Sequence, residues 1–172
     1  MGIQENEVMK FCSFYVSDWH LVTMLLPYIN RKINEEAKIA TILEEDIEEN
    51  IEKLVEKLNL KNKEKILNLN WLKIDERKNI FTDIKDSKEI VIIINGSQEF
   101  IEKKNEKLQK YLSTHKVNGK IKIINCYEII NYDGNISKIL DEHDKILNTS
   151  GEKEIEEVFP EYSKENKIKK VI

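Results

Sequence analysis

The sequence predicts a three-layer α/β domain, in which a mainly parallel sheet carries helices on both faces. Strand-like and helix-like segments alternate along the chain, as they do where parallel strands are joined by crossover helices. The segment EIVIIIN (89–95) is apolar on both faces and therefore belongs at the centre of the sheet. The length of 172 residues fits one domain, and we expect the α/β domain in 1–150 and a short helix with a charged tail in 151–172.

The first strand–helix unit begins with KFCSFYV (10–16), an apolar and aromatic run. Apolar residues at helical spacing follow it from Asp18 onward. Ser17 or Asp18 can cap this helix, and Pro27 inside it predicts a kink.

The second unit begins with the strand KIATILEE (38–45). Asp46 and Glu49 resemble a capping box at the start of a helix, whose apolar positions are Ile47, Ile51, Leu54, Val55 and Leu58. KILNLNWL (65–72) alternates apolar and polar residues, which predicts a strand with one wet face. Residues 73–88 fit either a short helix or an ordered loop.

In the second half of the chain, Ser97 caps a helix from 98 to about 115, and KIKIINCY (120–127) is the last strand. Asn135 caps a further helix, whose apolar stripe is predicted to comprise Ile136, Ile139, Leu140, His143, Ile146 and Leu147. A short acidic helix, EKEIEEVF, and a charged tail from Pro160 complete the sequence.

Composition excludes several classes of protein. The net charge of -4 argues against nucleic-acid binding by the domain itself, which requires a basic face. Two cysteines are too few for a secreted disulfide scaffold, so we expect buried free thiols. No apolar run reaches the length of a signal core or a membrane span, and we expect a soluble, cytoplasmic protein that does not engage membranes.

The phosphate-binding motifs of α/β proteins are missing. The chain contains neither a Walker A loop nor GxGxxG, and its five glycines are not clustered. The first strand–helix junction reads VSDWH, where Asp18 would repel phosphate and Trp19 would fill its space. We therefore expect no conventional nucleotide hydrolysis, no dinucleotide chemistry and no cofactor.

Ligands on parallel sheets bind beyond the carboxyl ends of the strands. This rule selects four junctions, namely 17–20, 44–46, 95–98 and 127–133. Their aromatic and polar side chains could line an apolar pocket with polar tips, or they could be ordinary core. The predicted ligand-binding residues are Tyr15, Asp18, Trp19, His20, Glu44 and Tyr127.

The same junctions admit a metal site. Asp18, His20, Glu44 and Asp46 are the residue types that a metal-assisted hydrolase uses. The simpler interpretation is that Glu44 is solvated and that Asp46 caps a helix. His143, on an apolar stripe, is most simply a hydrogen-bonded core residue.

Three segments resemble the MEDS domain, a sensory domain of methanogen proteins and of a dichloromethane-responsive regulator of methylotrophs. CSFYVSDWHLVTMLLPYINRKINEEAKIATILEE resembles the opening of that family, which has a His-x-Cys-x-Phe-Tyr strand and a Pro-aromatic-Ile step, although Lys10 replaces the leading histidine. Cys126-Tyr127 resembles a Cys-x-Tyr element with the spacing changed by one, and ISKILDEHDKIL resembles the closing helix. The family-matched positions are Cys12, Phe14, Tyr15, Pro27, Tyr28, Cys126 and His143.

The resemblance spans roughly residues 8–150 and implies a RecA/KaiC-like fold without a phosphate loop. It also implies sensing or signal transduction, usually through a partner. We expect a non-catalytic sensory or regulatory module, which binds a small, largely apolar ligand or a signalling protein at the strand carboxyl ends. A pseudo-ATPase adaptor that acts only through protein contacts and a metal-assisted hydrolase are the alternatives. A homodimer remains open.

Overall fold

A computed structural model describes residues 6–69, 88–117, 119–129 and 136–162. The strands are β1 (Val8–Tyr15), β2 (Lys38–Leu43), β3 (Glu89–Gly96), β4 (Lys120–Glu128), β5 (Lys145–Asn148) and β6 (Gly151–Lys153). They form one sheet in the order β2-β3-β4-β1-β5-β6, in which only the β5–β6 pair is antiparallel. The predicted α/β fold with a mainly parallel sheet is confirmed.

The helices within these ranges are α1 (Asp18–Asn34), α2 (Glu48–Lys57), α3 (Lys63–Leu67), α4 (Gln98–Thr114), α5 (Ile136–Asp141) and α6 (Ile155–Val158). The two long helices begin at the predicted serine caps, because Ser17 Oγ accepts from His20 N and Ser97 Oγ accepts from Phe100 N. Pro27 lies inside α1. None of the described helices combines the length and the apolar character that crossing a bilayer requires.

Side chains that alternate along the strands fill two separate cores. On the first face of the sheet, Phe11 and Tyr15 of β1 pack with the apolar residues of α1, α2 and α3. On the second face, Cys12 of β1 packs with the apolar residues of α4, α5 and α6. This arrangement makes the three layers that the sequence predicts, with β1, β3 and β4 covered on both sides.

Residues 143–148 correct the predicted last helix. α5 ends at Asp141, and Lys145–Asn148 form β5 beside β1, where Cys12 pairs with Ile146. The consecutive residues Ile146 and Leu147 are both buried because they point to opposite faces of the sheet. The sheet also extends past the boundary predicted at residue 150, since β6 pairs with β5 in a region predicted as the start of a helix.

Two smaller predictions are also wrong. The segment predicted as a strand at 65–72 is helical over its first residues, where α3 buries Ile66 completely and leaves Leu67 38% exposed. Asp46 does not form a capping box with Glu49, because its Oδ1 accepts from Glu48 N at 2.9 Å, one position earlier. Residues 73–87 of the segment 73–88, the end of the predicted strand 65–72, residues 130–133 of the last junction and the predicted cap Asn135 lie outside the described residues.

A cluster of charged side chains lies at the edge of the first core, near the amino ends of the strands. The ammonium group of Lys32, whose side chain is 6% exposed, lies 2.8 Å from Glu89 Oε1 and 3.6 Å from Glu152 Oε2. Lys122 Nζ donates to both oxygens of Glu152, and Tyr28 Oη donates to Oε2 at 2.9 Å. Because Glu152 lies on β6, this cluster joins the edge of the sheet to α1, β3 and β4.

Burial shapes the titration of this cluster. Burial by itself lowers the pKa of Lys32, but contact with the carboxylates of Glu89 and Glu35 outweighs it, and the pKa is raised. Burial alone raises the pKa of Glu152, yet the hydrogen bonds from Lys122 and Tyr28 hold it below its usual value. Both shifts indicate that the cluster favours its charged form in the folded protein.

Replacing Glu152 with Gln should weaken the fold and flatten its acid response. The folded-state pKa of Glu152 lies below its unfolded value, so its stabilisation is present above about pH 4.5 and is lost as the pH falls through the folded-state pKa. We expect Glu152→Gln to lower the unfolding free energy at pH 7 by about 1–3 kcal/mol, and to lose less further stability on acidification than the wild type. Urea unfolding at several pH values measures the free energy of unfolding and its pH dependence, and Glu52→Gln on the exposed side of α2 is the control. If the stability of Glu152→Gln and that of the wild type fell equally on acidification, Glu152 would not be the group responsible.

Candidate functional site

The turn after β1 is fixed by its own backbone and by two of its side chains. Val16 N donates to His20 Nδ1 at 3.1 Å, and Ser17 Oγ accepts from His20 N at 3.1 Å. Ile129 N, directly after β4, donates to the carbonyl of Tyr15 at 2.9 Å. The carboxyl ends of β1 and β4 are therefore joined, and His20 is turned toward the backbone.

Glu44 connects the next two junctions. Its Oε1 accepts from Ser97 N at 2.9 Å, while its backbone N–H donates to the carbonyl of Asn95 at 3.0 Å. This contact requires a glycine at position 96, because a Cβ there would lie 2.8 Å from both Glu44 Cβ and Phe100 Cδ1. Gly96 also has a φ of +154°. Glu44 is thus part of the α4 amino-terminal cap rather than a free carboxylate.

Tyr15 and Asn95 form a buried polar pair under this edge. Asn95 Nδ2 donates to Tyr15 Oη at 3.2 Å, and Asn95 is completely buried. Burial, followed by the nearby thiol of Cys126, raises the pKa of Tyr15 above its usual range, so the hydroxyl stays protonated. Within the described residues, Asn95 Oδ1 has no hydrogen-bond partner.

Tyr127 lies apart from Tyr15. It belongs to the second core, where its ring centroid is 6.1 Å from that of Phe14 and 5.9 Å from the ring of His143. Tyr15 belongs to the first core. Tyr15 and Tyr127 therefore lie on opposite faces of the sheet, and Tyr127 packs with Phe14 instead.

Four carboxylates gather at the carboxyl edge, on Asp18, Glu44, Glu45 and Glu128. Partial burial of Glu45, followed by the negative charges of Asp18, Glu128 and Glu44, raises the pKa of Glu45. Within the described ranges, no lysine or arginine forms an ion pair with any of the four. The edge is consequently an acidic surface.

Three apolar side chains are exposed beside these carboxylates. Val16 is 47% exposed, Trp19 44% and Ile129 39%, and we name them the carboxyl-edge patch. Val16 and Ile129 follow directly on the paired ends of β1 and β4, and Trp19 lies in the first turn of α1. The sequence indicates Trp19 as a site residue but not Val16, Ile129 or Glu128, because the exposure of these three depends on where β1 and β4 end.

Three of the four side chains considered for a metal site accept hydrogen bonds from backbone N–H groups. His20 accepts from Val16 N, Glu44 accepts from Ser97 N, and Asp46 accepts from Glu48 N. Among the residues that the structure describes, no group of three or more His, Cys, Asp and Glu side chains is arranged to hold a metal ion. The geometry favours structural roles for Glu44, at the amino terminus of α4, and for Asp46, in the turn before α2, where Ile47 is the N-cap residue.

The remaining family-matched residues are dispersed. Cys12 and Cys126 are buried free thiols on opposite faces of the sheet, and burial raises the pKa of Cys126. Pro27 is on the exposed side of α1, whereas Tyr28 contacts Glu152 in the charge cluster near the other end of the sheet. His143 is buried in the second core, as the sequence indicates.

Comparison of the chain with protein-family models, with curated proteins and with solved structures found no match.

Replacing Gly96 with Ala should destabilise the protein and disrupt the Glu44 contact. The added methyl group overlaps Glu44 Cβ and the Phe100 ring in a backbone conformation that favours glycine. We expect a loss of about 1–3 kcal/mol in unfolding free energy, measured by chemical denaturation. Ser97→Ala, which removes only the cap hydroxyl, should cost about 1 kcal/mol; a Gly96→Ala protein as stable as wild type would show that the close approach is not a constraint.

Tyr15 and Asn95 should behave as a coupled pair. Tyr15→Phe leaves the buried Asn95 amide without its acceptor and should cost about 1–3 kcal/mol. In an Asn95→Leu background, the same change should cost much less, since both polar groups are then gone. A double-mutant cycle from urea unfolding measures the coupling, and strictly additive losses would contradict the pairing.

Proposed function

We propose that the protein is a non-catalytic regulatory module, which binds a signalling protein through the carboxyl edge of its sheet. The observation that carries this proposal is the exposure of Val16, Trp19 and Ile129 among carboxylates that lack ion-pair partners within the described ranges. Large apolar side chains grouped on a surface and rimmed by charge are typical of protein–protein contacts. A tryptophan is also the residue type most enriched among those that dominate binding energy.

The geometry favours a protein partner over a small apolar ligand at this edge. The Tyr15 hydroxyl is occupied by Asn95, and Tyr127 lies on the other face of the sheet. The apolar side chains that remain at the edge are therefore turned outward rather than around an enclosed space. An outward apolar surface is better matched by another protein than by a small molecule.

Charge defines the chemistry of the partner segment. Partial burial, together with repulsion from the carboxylates of Asp18 and Glu128, raises the pKa of Glu45. A segment with lysine or arginine flanking apolar side chains would relieve that repulsion while covering Trp19. We therefore assign the patch to a basic, amphipathic segment of a signalling protein.

The MEDS resemblance supports a sensory or regulatory role. Its RecA/KaiC-like fold is a three-layer α/β architecture, with which the six-stranded sheet agrees at the level of layers and strand direction. The chain carries no Walker A pattern, so a fold of that kind would act here through contacts rather than nucleotide hydrolysis.

Trp19 provides a direct optical test. In a Trp71→Phe background Trp19 is the sole tryptophan, so its fluorescence reports on the patch. A helical peptide of leucine and lysine should change this emission in a saturable way, and binding should weaken as salt rises to about 0.5 M. We expect Glu45→Gln combined with Glu128→Gln to weaken binding about tenfold, which corresponds to about 1.4 kcal/mol.

Two controls separate the patch from general charge attraction. A lysine–serine peptide of equal charge should bind far more weakly, because it offers no apolar side chains to Trp19. Glu52→Gln combined with Glu56→Gln on α2 should leave binding unchanged. The proposed surface would be refuted if the two peptides bound equally tightly, or if the α2 variant lost as much affinity as the Glu45→Gln, Glu128→Gln variant.

A further inference from the structure

A groove lies on the second face of the sheet, away from the carboxyl edge. It has a volume of about 580 Å³ and runs over the amino-terminal halves of β1 and β4, with Val8 and Ile123 among its lining residues. α4 has 17 residues and spans about 25 Å, whereas α5 has six residues and spans about 9 Å. Among the described residues, Val8 at the start of β1 is 36% exposed on this face, whereas Cys12 further along the strand is completely buried.

The walls of the groove are held in place by hydrogen bonds. One wall is the second half of α4, which Asn6 fastens to the start of β1 by donating to the carbonyls of Leu112 and His115, each at 2.8 Å. The other wall is the segment 142–144, where Asp144 Oδ2 accepts from Lys10 N at 2.9 Å and Asp144 N donates to Lys10 O at 2.7 Å. Both walls are therefore fixed to β1.

A chain of hydrogen-bonded polar side chains joins the two walls by way of β4. Asn105 on α4, a lining residue, donates to Asn125 Oδ1 at 2.9 Å, and Asn125 Nδ2 contacts His143 Nε2 at 2.9 Å. Since that amide nitrogen is a donor, His143 Nε2 accepts, and Nδ1 carries the proton toward the carbonyl of Ile139. A fully bonded chain of this kind sets the spacing between α4 and the segment 142–144.

The groove carries charges of both signs above an apolar floor. Lys10 and Glu142 line it, and within the described part of the chain neither forms an ion pair. Gln109 on α4 lines it as well, and its exposed amide can both donate and accept. Val8 and Ile123 supply aliphatic surface between these groups.

We propose that this groove binds a short zwitterionic peptide of dipeptide size with aliphatic side chains. In this proposal Lys10 binds the terminal carboxylate, Glu142 binds the terminal ammonium group, and the Gln109 amide forms hydrogen bonds with the peptide bond. The aliphatic side chains lie on Val8 and Ile123. The volume falls within the range of about 300–1,000 Å³ typical of small-molecule sites, and it exceeds what a single amino acid fills. This site does not depend on the carboxyl-edge patch, with which it shares no residue.

Calorimetric titration with the dipeptide leucylleucine tests the site. We expect saturable one-to-one binding to the wild type. Lys10→Gln should lower the affinity for leucylleucine about tenfold and leave that for leucylleucinamide unchanged, because the amide lacks the carboxylate. Glu142→Gln should lower the affinity for leucylleucine but not for its N-acetyl derivative. Lys38→Gln, on β2 and outside the groove, is the matched control and should bind as the wild type does.

Blocking variants test the location independently. Val8→Trp fills the floor and should abolish binding, whereas Val16→Trp, at the other end of β1, should retain it. Gln109→Trp, on the exposed side of α4, is a second block in case Val8→Trp does not fold. Absence of saturable binding to the wild type, unchanged binding in a folded blocking variant, or a Lys10→Gln loss equal for peptide and amide would each overturn the proposal.

Discussion

The parallel pairing of β1 with β4 is the constraint on which the arrangement of both surfaces depends. Eight consecutive residues of β1 pair with β4, from Val8 opposite Ile121 to Tyr15 opposite Glu128. Because side chains alternate between the faces, this register sends Tyr15 to the first core and Tyr127 to the second. A shift of one residue would exchange the faces. The carboxyl edge and the groove are thus fixed by one ladder of hydrogen bonds.

Much of the fold could be predicted from the sequence, because long segments carry unambiguous patterns. β3 is apolar on both faces from Ile90 to Ile94, and the caps at Ser17 and Ser97 stand at visible strand–helix junctions. Residues 143–148 were predicted wrongly because Leu140, His143 and Leu147 also recur at helical spacing, and a strand of four residues is too short to show its own period. For α3, alternation at Leu67 and Leu69 resembled a strand, although the buried residue is Ile66.

The candidate sites could be predicted less well, since they depend on register and element length. The sequence placed Asp18, Trp19 and Glu44 at the carboxyl edge, which follows from their positions after strands. It could not show that Glu44 caps α4, because that contact is made between two separate junctions. It also could not show the groove, whose walls are held by contacts between residues far apart in the sequence, Asn6 with Leu112 and Lys10 with Asp144.

Polar groups hold the two ends of the sheet in different ways. Near the amino ends of the strands, Lys32 is surrounded by carboxylates from α1, β3 and β6, and the charges offset the desolvation that each would suffer alone. On the second face, Asn125 and His143 make a neutral chain that needs no counter-charge. At the carboxyl edge, by contrast, carboxylates accumulate beside Trp19, and partial burial together with the neighbouring negative charges raises the pKa of Glu45. Within the described ranges no lysine or arginine forms an ion pair with these carboxylates, and a basic partner would relieve their repulsion.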